Sequence, residues 1–480
     1  MPFLKRDVNA MAAMLSQDSS TNAKKQAHRP GDSITIETAL SPIIIQQDES
    51  LAKLLRRLHQ FEKNLDRRVG IETQGVDQIP EEKRTPPSIL NTFFMWWSMT
   101  MHVGTLQIGL LGPLFGLSLP LSVAGTVIGC FLGALCPSFT GTLGPKIFFW
   151  ISGGQNLLNV TASIGFSVVN LVVCGQLLSA VSDYKLTVDV GVIIIQVLSY
   201  TISVFGFTFI HRFEKFSWVW IFVFLSILLA QTVPRLNSSS SSVSMAQDGI
   251  AGPFLSFIAI NFSSASGWSP IVADYYCNYS SNTPTWKVFL LTVFGIGIPT
   301  IFTTVIRSCV GELAFNSSDS IYSEAFSKHG PGGLLQTVYH PIGFSKFTLG
   351  DYFHAIPRLL WPLFVAIVSA VLAMAGKDSL AAVVQNFVSL LGYWTTRGSG
   401  YDIDAWDQPR QLSMGIGAVV SLLAGYLAGG VVGMNQMWYV GPIAAKFGSP
   451  GGDVGEFLAA AFTCSIYIIL RAAEKRILGK

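Results

Sequence analysis

The residues of this sequence whose types and spacing best suit chemistry lie in two apolar segments that glycine and proline interrupt. Residues 256–276 read SFIAINFSSASGWSPIVADYY, in which Trp268 stands among small residues and Asp274 follows closely. Residues 96–113 read WWSMTMHVGTLQIGLLGP and are interrupted in a similar way. The residues predicted to break these two helices, or to let neighbouring helices approach, are Gly104, Gly109, Gly112, Pro113, Gly267 and Pro270.

Interruptions of this kind predict a binding site inside a membrane. Backbone groups freed by a break cost several kcal/mol in lipid, so a break persists only where it faces protein or a water-filled cavity. Two broken spans at corresponding places in two halves of a chain are typical of transporters that bind substrate near the bilayer midplane. The pattern therefore favours a transporter.

Motifs for covalent or hydrolytic chemistry do not occur in the sequence. There is no nucleotide-binding P-loop, no HExxH and no GxSxG motif, which disfavours ATP-driven transport and hydrolysis. The six cysteines form no C-x-x-C pair, and most of them lie in apolar runs, where cysteine acts as a small hydrophobe. We expect neither an enzyme nor a metal site.

The composition separates a polar N-terminal segment from a membrane domain. Of the 480 residues, 50% are hydrophobic and 12% are charged, whereas soluble globular proteins carry about 25% charged residues. The first 90 residues hold 13 of the 31 Lys and Arg and 12 of the 28 Asp and Glu. We predict a largely disordered cytoplasmic tail over 1–89 with an amphipathic helix near 51–68, a transmembrane domain over 90–473, and a short basic cytoplasmic tail over 474–480. The net charge of +3 indicates no nucleic-acid partner.

Apolar runs of about 20 residues, the length needed to cross the hydrocarbon core, predict eleven membrane spans. Lys and Arg in the short loops favour a cytoplasmic N-terminus, and the basic residues after the last span favour a cytoplasmic C-terminus. Two cytoplasmic ends require an even number of spans, so either one segment does not cross or a helix is absent. The N-glycosylation sequons at Asn237 and Asn316 would face outward. The predicted spans lie near 91–116, 118–136, 157–180, 188–210, 216–233, 250–273, 286–313, 357–376, 379–396, 412–433 and 454–472.

From about Arg67 to the C-terminus, the sequence resembles the fungal purine–cytosine permease branch of the nucleobase–cation symporters. The matching stretches, in the family's order, are RRVGIETQGVDQIPEEKRTPPSILNTFFMWWS, GALCPSFTGTLGPK, IGFSVVNLVVCGQLLSAVSD, HRFEKFSWVW, SSASGWSPIVADY, GYDIDAWDQP and GMNQMWYVGPIA. The resemblance implies an all-α polytopic membrane protein with LeuT-like inverted five-helix repeats plus two C-terminal helices, normally twelve spans. It also implies uptake of purines and cytosine at the plasma membrane, with H⁺ as the coupling ion and no other cofactor.

The sequence departs from this family at the eighth helix, which normally carries a paired-asparagine signature that binds the base. No Asn-Asn pair occurs anywhere in the chain, and the segment after Asp351 passes quickly to Pro357. We therefore predict that the eighth helix is missing, which leaves about ten or eleven spans instead of twelve. A truncated or splice product that does not transport is one alternative function. Another is a transporter of allantoin, uracil, vitamin B6 or thiamine.

Four residues are candidates for the substrate site. A nucleobase requires an aromatic plate for stacking and an amide that donates and accepts along the base edge. Trp268 is the predicted stacking residue, unless it belongs to an interfacial belt, and Phe166 stands where the family usually has Trp. Asn170 is predicted to bond the base edge, although an interhelical bond would also explain an amide in mid-span. Ser98 either bonds the substrate or caps the helix break.

Two titratable residues accompany the breaks. Asp274 is the acid nearest the second break, and we assign it a gating or proton-linked role, with a solvated loop position as the alternative. His102 could titrate near neutral pH, but we favour the interpretation that it is an ordinary hydrogen-bonded histidine. The predicted partners of the protein are thus a nucleobase and the lipid bilayer.

Overall fold

A computed structural model describes most of the predicted membrane domain. It covers Arg84 and residues 86–102, 105–142, 153–204, 207–236, 249–276, 279–316, 320–339, 369–371, 373–374, 416–436, 438–448 and 451–478. Side chains are not described at 153–160, 201–204, 207–216, 274, 320, 416, 418, 419, 475, 477 and 478. The predictions for the tail before residue 84, for Gly104, for Asn237 and for most of the spans 357–376 and 379–396, including the missing eighth helix, lie outside the described residues.

The first predicted span is two helices rather than one. Helix α1 (Ile89–Thr100) begins at Ser88, whose hydroxyl accepts the Asn91 N–H, and helix α2 spans Thr105–Leu114. The helices that follow, up to the second broken span, are α3 (Leu119–Gly141), α4 (Gly153–Val181), α5 (Val188–Val204) and α6 (Phe207–Leu236).

The sixth predicted span is also divided. Helix α7 (Ala251–Ser266) is separated from the short helix α8 (Val272–Tyr276) by a turn. The next helices are α9 (Thr285–Phe315) and α10 (Ser320–Tyr339). Helix α11 (Ile416–Gly425) continues into a π-helical stretch, Tyr426–Gly430, and a last turn, Val431–Gly433. A two-stranded antiparallel ribbon, β1 (Asn435–Gln436) with β2 (Tyr439–Val440), then precedes a 3₁₀ turn, Ala444–Phe447, and helix α12 (Gly455–Leu478).

Within the described residues, five helical segments are long and apolar enough to cross a membrane. They are Leu119–Gly141, Thr161–Val181, Ser217–Leu236, Thr285–Phe315 and Gly455–Glu474. Several of these helices expose large apolar side chains, among them Phe131, Phe139, Trp220 and Ile468. Such surfaces are typical of a lipid-facing protein, since extended apolar exposure is rare on soluble monomers. The chain is therefore a helical protein of the multi-pass membrane type.

Helix α10 was not predicted as an element of the membrane domain. It is bent at Gly330, whose φ of 61° lies in the left-handed region, and Pro331 follows directly. A side chain at this backbone angle would be strained, so the bend requires glycine, and a Cβ added there would also displace the side-chain amide of Gln176 in α4, 2.9 Å away. The sequence signal was weak because this helix is polar and lacks an uninterrupted apolar run.

Glycine allows the closest helix contacts in the core. A Cβ added at Gly133 of α3 would lie 2.3 Å from the Phe262 carbonyl oxygen of α7, and one at Gly129 would lie 2.6 Å from the Ile258 carbonyl oxygen. Small residues let helices approach closely in membranes, where packing rather than hydrophobic exclusion drives association. Helix α3 packs along α7 as well as α9, and this places the second broken span beside the middle of the domain.

Candidate substrate site at two helix breaks

The first break lies between α1 and α2, after Thr100. The amide of Met101 donates to the Trp97 carbonyl at 3.0 Å and closes the last turn of α1. On the far side, the hydroxyl of Thr105 donates to the His102 carbonyl at 2.8 Å and helps to start α2. His102 therefore lies after the end of α1, and its carbonyl oxygen accepts a hydrogen bond from Thr105, the first residue of α2.

The predicted break residues of the first span need correction. Gly109, Gly112 and Pro113 lie inside α2, after the break, so they do not interrupt the helix. Gly109 instead allows contact with α9, since an added Cβ would lie 2.5 Å from Cβ of Arg307. Gly112 does the same for Ser122 of α3, at 2.6 Å from its Oγ. Pro113 has no N–H for the Gly109 carbonyl four residues earlier, and the hydroxyl of Ser308 in α9 donates to that carbonyl at 3.1 Å instead.

The second break lies between α7 and α8. Gly267 ends α7, and its amide donates to the Ser263 carbonyl at 2.9 Å. Pro270 lies in the turn that follows, and the amide of Val272 donates to the Trp268 carbonyl at 3.0 Å to begin α8. Trp268 thus directly follows Gly267, the residue that caps α7. The side chain of Asp274, which was predicted to have a gating role, lies outside the described residues.

Two side chains of α4 connect both breaks. The Oδ1 of Asn170 lies 3.3 Å from Nδ1 of His102, in the first break. Since an amide oxygen only accepts, the imidazole donates in this contact. At the second break, a Cβ placed on Gly267 would lie 3.6 Å from the ring of Phe166. The Nδ2 of Asn170 donates to the Phe166 carbonyl at 2.9 Å, one turn back along the same helix.

Trp268 belongs to an aromatic cluster that joins the two broken spans. Its ring makes an edge contact with Trp96 of α1, with centroids 5.9 Å apart. Trp96 is fully buried, and its Nε1 donates to the Tyr276 hydroxyl at 2.9 Å. That hydroxyl lies 2.7 Å from the hydroxyl of Thr292 in α9. Trp268 is only partly buried, whereas Trp96 and Tyr276 are fully buried, so Trp268 remains accessible at the break.

Ser98 takes part in a helix contact. It is fully buried, and its Oγ accepts from the Ser217 hydroxyl at 2.9 Å and from the Trp218 amide at 3.1 Å. These bonds join α1 to α6. A hydroxyl that already holds two donors from a neighbouring helix is poorly placed to bind substrate, and we leave Ser98 out of the candidate site.

Sequence reasoning gave too little weight to three residues. His102 was judged an ordinary hydrogen-bonded histidine, yet its partner is the very amide predicted to bind the base. Trp96 and Tyr276 were not singled out, although their bond joins the two broken spans. A signal existed for all three, since each lies within or next to an interrupted apolar segment. Within the parts of the chain described, no group of three His, Cys, Asp or Glu could hold a metal ion.

The arrangement can bind a flat polar molecule. Asn170 and His102 supply donors and acceptors at the first break, while Phe166 and Trp268 supply aromatic faces at the second.

Residues 78–339, more than half of the chain, match the family model described as "Permease for cytosine/purines, uracil, thiamine, allantoin". The chain belongs to this permease family. Its members and its curated relatives are transporters rather than enzymes.

Curated relatives of this permease cover nearly its whole length. The vitamin B6 transporter TPN1 of Saccharomyces cerevisiae is 27% identical over 576 aligned positions, which include 96% of this chain and 99% of that protein. The purine-cytosine permease fcyB of Emericella nidulans is 27% identical and covers 86% and 90%. The purine-cytosine permease FCY2 of Saccharomyces cerevisiae is 28% identical and covers 90% and 91%. The resemblance to the fungal purine–cytosine permeases is thereby confirmed.

A solved transporter shares the fold of this permease. Mhp1, a nucleobase-cation-symport-1 family transporter in a closed conformation with bromovinylhydantoin bound, superimposes with a TM-score of 0.51. The match covers 84% of this chain and 96% of Mhp1 at 13% sequence identity. Identity at this level shows the fold alone, and the predicted all-α membrane architecture agrees with it.

Proposed function

We propose that this permease imports purines and cytosine across the plasma membrane in symport with H⁺, with its N-terminus in the cytoplasm. The observation that carries the proposal is the position of α4 between the two breaks. Asn170 contacts His102 at one break, and Phe166 lies against Gly267 at the other. One face of a single helix thus brings polar and aromatic groups to both interruptions.

The chemistry of these groups suits a nucleobase. Adenine, guanine, hypoxanthine and cytosine are flat and carry adjacent donors and acceptors along one edge. An amide such as Asn170 can pair with that edge, as it both donates and accepts. Stacking on an aromatic side chain such as Trp268 contributes about 1–3 kcal/mol per base. The Asn170–His102 bond would be exchanged for bonds to the substrate.

Helix packing supports an architecture of two inverted repeats. Helix α3, the second span, packs against α7 of the sixth span. Helix α9, the seventh span, packs against α1 and α2 of the first. This reciprocal exchange between the two broken spans and their successors is what two inverted five-helix repeats would produce. Alternating access would then move one group of spans about the site.

A form of vitamin B6 is the second candidate substrate. TPN1, a vitamin B6 transporter, aligns over a larger share of this chain than the purine-cytosine permeases do. Vitamin B6 is also a flat heterocycle with polar substituents, so stacking and amide recognition would serve it as well. Competition between the two substrate classes separates these candidates.

Internal segments that this chain lacks favour a third possibility, a product that does not transport. The alignment with TPN1 extends over 576 positions, whereas the chain has 480 residues, so the relative contains residues without a counterpart here. A lost eighth helix with its paired asparagines is the segment whose absence we propose would abolish transport.

The first test is uptake of radiolabelled adenine and cytosine by cells without their own purine–cytosine permease that express this chain. We expect saturable uptake that requires a proton gradient and that Asn170→Ala abolishes. Asn282→Ala is the matched control, because Asn282 is exposed in the loop before α9. Protein at the cell surface is measured for each variant.

The outcomes distinguish the three candidates. Uptake that excess pyridoxine inhibits more strongly than excess adenine favours vitamin B6. Surface protein without uptake of either compound favours a product that does not transport. Equal uptake by the Asn170→Ala and Asn282→Ala variants would exclude Asn170 from substrate binding.

A further inference from the structure

Glu456 is a fully buried acid that the substrate site does not use. It is the second residue of α12, and its side chain has 0% relative exposure. The hydroxyl of Ser263, in α7, donates to its Oε1. Among the described residues, no hydrogen-bond donor reaches its other oxygen, Oε2. One oxygen of the carboxyl therefore accepts a hydrogen bond from the sixth span, and the other has no hydrogen-bond partner among the described residues.

Asp453, by contrast, is a fully engaged neighbour. Its Oδ1 accepts the amide of Gly455 at 3.0 Å, and its Oδ2 accepts the side-chain amide of Gln436 at 3.2 Å. Its own amide donates to Ser256 of α7 at 2.9 Å. Asp453 thus caps α12 and ties it to α7. The carboxylate of Asp453, three residues before Glu456, disfavours a second negative charge beside it.

Ser263 places Glu456 next to the second break. The Ser263 carbonyl accepts the Gly267 amide that closes the last turn of α7, and Trp268 follows immediately. The same serine therefore bonds Glu456 through its hydroxyl and shapes the end of α7 through its carbonyl. A change in the protonation of Glu456 therefore acts on a residue that shapes the end of α7, directly before the candidate stacking residue.

The two protonation states of Glu456 make different demands on this site. Within the part of the chain that is described, the Ser263 hydroxyl is the hydrogen-bond donor to this carboxyl, so its ionised form carries a large desolvation penalty. A carboxylic acid does not carry that penalty and can donate from its second oxygen. Binding of a proton therefore stabilises the closed packing of α7 on α12, and loss of the proton requires water or movement of α7. Both are changes that a transport cycle supplies.

We propose that Glu456 binds the proton that is transported with the substrate and that Ser263 conveys its protonation state to the second break. The inference rests on the proposed function, because it names the proton site of the same transport cycle. Its chemistry is a reversible O–H bond at one carboxyl oxygen, with the proton taken from water on one side and returned to water on the other.

The test uses the full chain reconstituted in lipid vesicles, with two assays. Exchange of labelled adenine for unlabelled adenine needs no proton gradient, whereas accumulation in response to an imposed gradient does. We expect Glu456→Gln, which remains neutral at all pH values, to retain exchange. Accumulation should fall by roughly 5- to 150-fold, the usual range for the loss of coupling between two sites. Glu456→Asp should restore part of the accumulation.

Glu474→Gln is the matched control, since Glu474 lies on the same helix and pairs with Arg471 at 2.9 Å. It should exchange and accumulate like the wild type. Accumulation by Glu456→Gln equal to that of the wild type overturns the inference. So does the loss of exchange in both Glu456 variants, which would make the carboxyl structural. Failure of the wild type to exchange adenine instead overturns the proposed nucleobase transport. Exchange by the wild type without substrate-dependent proton movement overturns H⁺ coupling, and the proton site with it, but leaves nucleobase transport standing.

Discussion

His102 donates from Nδ1 to the side-chain oxygen of Asn170, 3.3 Å away, and so joins the break of the first span to the middle of the third. This bond links the two residues by which the candidate site recognises polar edges. A substrate that pairs with Asn170 competes for the same oxygen. Replacement of either residue therefore removes a hydrogen-bond partner of the other.

We expect His102→Ala and Asn170→Ala each to weaken substrate affinity. Removing one buried hydrogen-bond partner costs about 1–3 kcal/mol, or roughly five- to 150-fold in the dissociation constant. The double variant should lose less than the sum of the two single losses, by about 0.5–3 kcal/mol, because the residues are in contact. Competition binding of labelled adenine to membranes measures all four proteins. Strict additivity would show that the contact does not matter for binding.

Trp268→Leu should weaken binding of every base that the protein accepts. Stacking contributes about 1–3 kcal/mol per base and depends little on the identity of the base. Trp268→Phe should retain a large part of the affinity, because a ring remains at the break. The inhibition constants of adenine and cytosine give the comparison. A loss confined to one base would indicate a specific hydrogen bond instead of stacking.

Gly133→Leu should reduce the amount of folded protein without changing substrate preference. The first added carbon would already lie 2.3 Å from the Phe262 carbonyl oxygen, where no side chain can move aside, so α3 and α7 must separate. Gly297→Ala is the matched control, since its Cβ would meet only Cβ of Ala134, at 3.6 Å. Fluorescence size-exclusion chromatography after heating compares their stability. A stable Gly133→Leu protein would contradict the close packing.

Ser98→Ala should lower stability and leave the Michaelis constant for uptake unchanged. Its hydroxyl accepts from Ser217 and Trp218, so the substitution leaves two donors of α6 without this partner. A lost hydrogen bond of this kind typically costs about 0.5–1.5 kcal/mol. Thermal unfolding and uptake kinetics on the same preparation separate the two effects. A raised Michaelis constant with unchanged stability would return Ser98 to the substrate site.

Local sequence pattern predicted the second helix break but not the role of the glycines in α2. Gly267 and Pro270 lie at the second break, and this position could be predicted because both residues disfavour a continuing helix on their own. Gly109 and Gly112 carry the same local signal but serve to admit Arg307 and Ser122. Local composition does not distinguish a glycine that bends the backbone from one that makes room for a neighbour.

Glu456 illustrates a different shortfall. An acid within a membrane span is by itself a functional hypothesis, but this one stands at the start of an apolar run and resembles an ordinary helix terminus. Its burial against Ser263 depends on contact between the first turn of α12 and α7, nearly 200 residues apart in the chain. The polar helix α10 was missed for the related reason that its stability comes from its contacts with α4 and α6.

Composition, hydropathy and motif order were sufficient to establish a helical membrane permease of this family with two interrupted spans. These properties depend on local sequence, because the affinity of a segment for lipid and the tendency of its helix to be interrupted are determined largely by its own residues. The tertiary structure decided which residues meet at the site. It brings together His102 and Asn170, Phe166 and Gly267, and Ser263 and Glu456. Each joins residues that are distant in the chain, and their proximity follows from the mutual packing of several helices, which no single segment encodes.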